Sequence, residues 1–123
     1  MANPFVHFNL HTSDLTQARD FYKELFAWKF TSLPTPKGIF TLIDVGEGTG
    51  GGMMTNPAPD VPSHWLAAVG VDDIDAMAKR VEELGGKIVE PITKLGFIGA
   101  MCIIQDPTGA HLALFQRKRG LFA

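Results

Sequence analysis

Two histidines near the start of the chain are the first residues whose type and spacing could support chemistry. In FVHFNLHTSDLTQARDFY, residues 5–22, apolar and polar residues first alternate and then take up a helical spacing. This predicts a strand, a polar cap around Asp14 and a helix. His7 and His11 lie on the same side of that strand, because successive side chains point to opposite faces. That side could face a metal ion, an organic ligand or solvent. We expect His11, at the strand end, to be exposed.

Other motifs offer little chemistry. Cys102 is the single cysteine, which excludes an intrachain disulfide and a cysteine-based zinc site, and its strand position predicts a small buried apolar residue. The segment GEGTGG, 46–51, has the glycine spacing of a dinucleotide-binding loop, but prolines at 57 and 59 follow it instead of a helix. We therefore interpret it as a hairpin. The sequence contains no G-x-S-x-G motif and no pair of carboxylates spaced for acid–base catalysis.

Each predicted helix carries one apolar stripe, and the two stripes are related by a constant offset of 59 residues. Asp14 and Asp73 precede the helices as candidate N-caps, and Gly85 and Gly86 end the second helix. The stripes are Leu15, Ala18, Tyr22 and Leu25, and Ile74, Met77, Val81 and Leu84. The repeat indicates a duplicated unit.

A strand precedes each predicted helix and three strands follow it, which gives β-α-β-β-β twice. The predicted strands are 5–11, 28–33, 40–45, 52–55, 64–71, 87–92, 99–105 and 111–116. The predicted organisation is one domain: a first module 5–55, a linker 56–63 with three prolines, a second module 64–116 and a tail 117–123. The predicted class is α+β, with the two modules forming one curved, cup-shaped mixed sheet and the helices outside.

Composition limits the function classes. The chain has 123 residues, 46% hydrophobic and 20% charged, with a net charge of −2, so no basic field favours nucleic acid. The cluster QRKRG, 116–120, is interpreted as a solvated terminus. No apolar run is long enough to span a membrane, and no basic segment followed by a long apolar run marks a secretory signal. We expect a cytoplasmic protein with no nucleic-acid or membrane partner.

The pattern resembles the vicinal oxygen chelate superfamily, which includes lactoylglutathione lyases, bleomycin-resistance proteins and extradiol dioxygenases. HTSDLTQARDFYKELFAWKF, 11–30, is similar to the first strand-to-helix segment of that family, with Phe21 and Tyr22 on the buried side of the helix. VDDIDAMAKRVEELGGKIVEP, 71–91, is similar to the second helix and its exit strand, and DPTGAHLALFQ, 106–116, to the closing turn and last strand.

The resemblance also implies where metal ligands would lie. His7 matches the first ligand position, but the second falls in GGGMMT, 50–55, and the third and fourth fall on Leu66 and Ala113. One ligand of four is too few for a zinc or non-haem iron site. We therefore expect no metal and no cofactor.

A shifted metal site is the alternative. His64 and His111 each lie two residues before a lost ligand position, so His7, His64 and His111 could form a three-histidine site. The simpler interpretation is that His64 caps the linker and His111 is a polar residue at a strand start.

The leading hypothesis is a metal-free protein that binds a small, largely apolar organic molecule in the cup, as bleomycin-resistance proteins do. The alternatives are a metal-dependent lyase, isomerase or dioxygenase with a rearranged histidine site, and an accessory interaction domain with an empty cup. No catalytic residue is assigned. We also expect a homodimer, with the cup within one chain or shared by two. The expected ligand-binding residues are Phe5, His7, Asn9, Met54, Leu66, His111, Ala113 and Phe115.

Overall fold

The computed structural model of the chain describes residues 2–58 and 60–117. These residues form, in order, β1 Phe5–Thr12, α1 Leu15–Leu25, β2 Lys29–Thr35, β3 Gly38–Asp44, β4 Gly51–Thr55, β5 His64–Gly70, α2 Ile74–Glu83, β6 Lys87–Lys94, β7 Gly99–Gln105 and β8 His111–Arg117. A short 3-10 helix, Gly96–Ile98, precedes β7 and was not predicted. Every predicted helix and strand is present, and the α+β class with two β-α-β-β-β modules is confirmed.

Strand pairing repeats along with the element order. The first four strands are ordered β2-β3-β4-β1 and the last four β6-β7-β8-β5. In each set the strand before the helix runs parallel to the last strand, β1 with β4 and β5 with β8, and the other pairs are antiparallel. The same topology in both halves confirms the duplication inferred from the stripe offset.

Two compact units can be described separately. The first unit is His7–Leu66, and the second consists of residues 2–6 and 67–117. Their boundaries therefore fall inside β1 and β5, and not in the proline-containing linker.

Both helices begin at the predicted caps. A carboxylate oxygen of Asp14 accepts a hydrogen bond from the backbone N–H of Gln17 at 2.9 Å, and Asp73 accepts one from that of Ala76 at 3.1 Å. Each bond satisfies a donor that the first helical turn leaves without a partner. At the other end of α2, Gly85 has a φ of 91°, a conformation that glycine adopts without strain.

The apolar stripes form the two cores, except at their last positions. In the first unit, Leu15, Ala18 and Tyr22 pack against Leu10, Ile43 and Met53. In the second, Met77 and Val81 pack against a buried cluster of Val71, Ile74, Cys102 and Leu114. Cys102 is thus the buried apolar residue that was predicted.

The last residues of the two stripes, Leu25 and Leu84, are 57% and 63% exposed. Leu25 is the last residue of α1 and Leu84 is the C-cap of α2, so each lies where its helix ends. Phe21 is also 60% exposed, although the resemblance placed it on the buried side of α1. Its position in the helix lies at the edge of the stripe that Tyr22 shares.

The described residues of the linker between the modules, 56–58 and 60–63, carry no helix or strand. In the linker, the Asn56 side chain donates to the carbonyl of Val61 at 2.6 Å and accepts from the N–H of Ala58 at 3.1 Å.

The GEGTGG segment is a turn that leads into β4, with Gly46 and Gly48 at positive φ, which confirms the hairpin. Most of the predicted tail, 118–123, lies outside the described residues. Within the described residues, neither helix has the length and apolar character needed to cross a membrane.

Candidate functional site

The sheet of the first unit has two faces. Leu10, Ile43 and Met53 carry the face on which α1 packs, called here the helix face. The opposite face, called here the strand face, includes Asn9, Gly52, His11 and Met54, because Asn9 pairs with Gly52 and His11 with Met54 on the parallel strands β1 and β4. His7 also lies on the strand face, by alternation along β1.

The predicted site residues of the first unit are covered to different degrees. Asn9 and Leu66 are buried, whereas His7 and Met54 are half-buried. Next to Asn9, the absence of a side chain at Gly52 leaves room for a ring. A Cβ there would lie 2.5 Å from Cζ of Phe40 and 3.0 Å from Oδ1 of Asn9. Glycine at position 52 is therefore required by the packing of Phe40.

In the second unit, the predicted residues do not share one environment. Ala113 and Phe115 on β8 are buried, and Ala113 is the register partner of Ala68 on β5. Phe5 is 58% exposed. His111 is exposed at the start of β8, and its Nε2 lies 3.1 Å from Oε1 of Gln105, as expected for a polar residue at a strand start.

The expectation that His11 is exposed was wrong. Its side chain is completely buried, and its ring centre lies 5.4 Å from that of His64, with the two planes at 72°. Burial, and to a smaller extent the neighbouring His64, lower the pKa of His11 to about 4. His11 is therefore a neutral imidazole at pH 7. The strand alternation correctly predicted the face of the sheet on which His11 lies, but it could not predict how far other residues cover that face.

The metal site that the resemblance implies does not fit the side chains at its positions. His7 is the only one of the four that offers a nitrogen or oxygen ligand, because Leu66 and Ala113 are apolar and the 50–55 strand carries glycine, methionine and a terminal threonine. Within residues 2–58 and 60–117, no three His, Cys, Asp or Glu side chains are placed to hold one ion.

An apolar cavity of about 290 Å³ lies on the helix face of the first unit. Phe8, Ile43 and Gly51 are register partners that form one wall, and the indoles of Trp28 and Trp65 lie across from them with ring centres 6.3 Å apart. The lining residues are Phe8, Trp28, Ile43, Val45, Thr49, Gly50, Gly51 and Trp65. None of the predicted ligand-binding residues is among them.

This cavity was not predicted from the sequence, although the strand positions of its tryptophans could have indicated it. Trp65 has the opposite strand parity to His64 and Leu66, so it belongs to the other face from the predicted site. Trp28 follows α1 directly, where a bulky ring can close the end of the helix–sheet interface. Phe8 lies on the same face of β1 as Leu10, and it is 43% exposed and lines the cavity.

A second, more polar cavity of about 400 Å³ lies beside the first residues of α1. Trp65 lines both cavities, and its Nε1 donates a hydrogen bond to the hydroxyl of Tyr22 at 3.1 Å. Two of its polar groups already have partners, since Ser63 Oγ accepts from the N–H of Ser13 at 3.0 Å and Asp14 caps the helix. The arrangement therefore favours the apolar cavity as the place for a ligand.

Comparison with known families agrees with the fold. The family model of the Glyoxalase/Bleomycin resistance protein/Dioxygenase superfamily matches residues 5–114. The chain belongs to this superfamily. Solved structures support the same fold: hypothetical protein BH1468 from Bacillus halodurans has a TM-score of 0.69 at 15% identity, covering 97% of each chain. A methylmalonyl-CoA epimerase from Mycobacterium tuberculosis also has a TM-score of 0.69, at 18% identity, covering 96% of this chain and 90% of that one.

Two relatives within the superfamily share more sequence. The chain is 34% identical over 120 residues to the protein named "Putative glyoxylase CFP32" of Mycobacterium tuberculosis, and 30% identical over 127 residues to the anthracycline biosynthesis protein DnrV of Streptomyces peucetius. These matches cover 94% and 89% of this glyoxalase-superfamily chain but only 46% of each relative. The chain thus spans about half the length of these relatives.

Proposed function

We propose that this superfamily member binds a small, largely apolar organic molecule in the cavity between Phe8, Trp28 and Trp65, and that this binding requires no metal ion. The observation that carries the proposal is the lining of the cavity, in which aromatic rings, aliphatic side chains and glycine backbone surround a single polar side chain, Thr49. Apolar walls with few polar groups are typical of small-molecule sites.

The size and lining of the cavity restrict the ligand. A volume of about 290 Å³ is near the lower limit of ligand pockets, so the ligand has one or two rings, or inserts one end of a larger molecule. The indole faces favour a flat aromatic group, which can stack or meet them edge-on. Among the described residues no charged side chain lines the cavity, which favours a ligand whose bound part is uncharged.

The name of one relative is in line with an aromatic ligand, because DnrV is named for anthracycline biosynthesis. The side chains at positions 66 and 113 support the proposed metal independence, because leucine and alanine stand there instead of the ligands that the superfamily resemblance implies.

Intrinsic fluorescence provides a direct test, because both tryptophans of the chain line this cavity. A panel of uncharged and charged aromatic compounds is titrated into protein treated with a chelator, with a thermal-shift assay in parallel. We expect saturable quenching and a raised melting temperature with uncharged flat compounds. A panel that produced no response by either readout would contradict the proposal and favour an interaction domain without a ligand.

Matched variants then locate the ligand. Val45→Phe fills the cavity and should weaken binding at least tenfold, whereas His7→Ala and Met54→Leu on the strand face should not. The reverse result would place the ligand among the residues predicted from the sequence. Metal-restored turnover of α-keto hemithioacetals or catechols that is lost in His7→Ala would instead favour the lyase or dioxygenase alternative.

The proposal includes self-association into a homodimer. Phe21, Leu25 and Phe26, at the end of α1, are 60%, 57% and 43% exposed, which leaves a contiguous group of large apolar side chains in water. Light scattering at micromolar concentration should give the mass of two chains, and Phe21→Glu should lower it. A wild-type mass equal to one chain would exclude this part of the proposal.

A further inference from the structure

The buried imidazole of His11 has two ring nitrogens without a hydrogen-bond partner among the described residues. A neutral imidazole carries one donor and one acceptor, and leaving either unsatisfied in a buried position destabilises the folded state. Buried polar groups in native proteins are nearly always satisfied. No group of the described residues supplies a partner for His11, so both ring nitrogens are available to a bound species.

The neighbouring His64 is oriented as metal-binding histidines are. Its Nδ1 lies 2.7 Å from the carbonyl oxygen of Pro62, and because that oxygen only accepts, Nδ1 carries the proton. In the neutral ring the lone pair is then on Nε2. A backbone carbonyl that fixes one ring nitrogen in this way leaves the other available as a ligand.

The separation of the two rings suits one shared ion. Two imidazoles bound at about 2.0–2.1 Å to a tetrahedral ion have ring centres about 5 Å apart. The ring centres of His11 and His64 are 5.4 Å apart.

A third ligand of a different kind lies next to His11. Met54 is its register partner on the adjacent parallel strand, and side chains at paired positions of neighbouring strands share a face. Such strands are about 4.8 Å apart, within reach of a thioether. Two imidazoles and a thioether select a soft ion, whereas magnesium, calcium and manganese prefer oxygen ligands.

We propose that His11, His64 and Met54 form a binding site for a monovalent copper ion. The proposal goes beyond the proposed function and does not depend on it, because the ligand cavity lies on the helix face and His11 and Met54 lie on the strand face. The site shares only the 50–55 strand, through Met54, with the one that the superfamily resemblance implies, which would otherwise use positions 7, 66 and 113.

The test measures copper(I) affinity by competition with a chromogenic chelator under anaerobic, reducing conditions. We expect one ion per wild-type chain, an affinity lowered at least a hundredfold in His64→Gln and His11→Gln, and a smaller loss in Met54→Leu. The chain has four histidines, so His7→Gln and His111→Gln are matched controls that should bind as wild type. Cys102→Ala should also bind normally, which excludes the thiol as the ligand.

Two further readouts keep the test decisive if the His11 variant folds poorly. His64 is half-buried at the start of β5, so His64→Gln should retain the wild-type circular dichroism spectrum. X-ray absorption of the copper-loaded wild type should show two nitrogen ligands and one sulfur ligand. Copper binding that survives His64→Gln, or that is no tighter than for an unrelated protein with surface histidines, would overturn the proposal. Preference for zinc in a parallel equilibrium dialysis would overturn the assignment to copper.

Discussion

The indole N–H of Trp65 donates a hydrogen bond to the hydroxyl oxygen of Tyr22 across 43 residues of sequence. The bond connects the start of β5 with α1, and the ring of Tyr22 also stacks on that of Trp28, with centres 5.8 Å apart. The orientation of both indoles in the cavity therefore depends on one tyrosine of the helix.

Replacing Tyr22 with phenylalanine tests this dependence. Tyr22→Phe keeps the ring contacts but removes the hydrogen bond, so the free energy of unfolding should fall by about 0.5–1.5 kcal/mol. Urea unfolding followed by circular dichroism measures the loss, and tryptophan emission should shift because Trp65 loses its partner. Tyr22→Leu, which also loses the stacking, should cost more. Equal costs for the two variants would show that the hydrogen bond contributes nothing.

The sequence predicted the elements of this fold better than their environments. The spacing of Leu15, Ala18 and Tyr22 predicted the packed face of α1, and Asp14 predicted its start, because both signals are local. The burial of His11 could not be predicted, since strand alternation assigns a side chain to a face without showing what covers that face. Leu25 continues the apolar stripe in sequence, but it is exposed because it lies where the helix ends.

The cavity was beyond sequence reasoning for a related reason. Its walls come from β1, β3, β5 and the loops that precede β2 and β4, so no single segment carries its pattern. The resemblance to a known family directed attention to His7 and the strand face, and it gave no information about the helix face. Trp65 is an example, because its strand face could be predicted from the alternation but its contact with Trp28 could not.

Replacing Gly52 tests the packing of side chains on the strand face. The Cβ of Gly52→Ala would lie 2.5 Å from Cζ of Phe40, which is buried and cannot move into solvent. Overpacking of this kind costs about 1–3 kcal/mol, and chemical denaturation should detect it.

A double variant identifies the cause. Phe40→Leu shortens the ring that the new methyl group would meet, so Gly52→Ala should cost less in that background than in the wild type. Additive costs would mean that the backbone of β4, and not the ring of Phe40, requires the glycine.

Cys102 should behave as a buried and unreactive thiol. Its side chain is 1% exposed, and burial raises the pKa of the thiol to about 11, against a smaller opposing effect of a backbone hydrogen bond with Leu114. Almost no thiolate is then present at pH 8, and the thiolate is the reactive form. Alkylation by iodoacetamide should be slow in buffer and fast in denaturant. Rapid labelling of the native protein would contradict the burial of β7.

The two caps allow the internal repeat to be tested energetically. Asp14→Ala and Asp73→Ala each remove one carboxylate that accepts from the third residue beyond it, and each should cost about 1 kcal/mol. Thermal unfolding of the two variants, compared with Asp60→Ala in the linker, measures the losses. Asp60 has no capping role, so a similar loss in that variant would show that the effect reflects charge and not capping.

The stability of the protein should fall with acidity between pH 6.5 and about 4 because of His11. An unfolded histidine binds a proton with a pKa near 6.5, whereas His11 in the folded protein does so only at about 4. Within this window the unfolded chain holds the extra proton, so the folded state loses about 1.4 kcal/mol for each pH unit and roughly 3 kcal/mol in total. Above pH 6.5 both states are neutral at this ring, and below about pH 4 both are charged, so the contribution is constant on either side.

Urea unfolding at a series of pH values measures the slope, and His11→Gln should reduce it while His111→Gln leaves it unchanged. Carboxylates titrate in all three proteins, so the decisive quantity is the difference in the free energy of unfolding between His11→Gln and the wild type. If this difference did not vary between pH 4 and 6.5, a buried neutral His11 would be excluded.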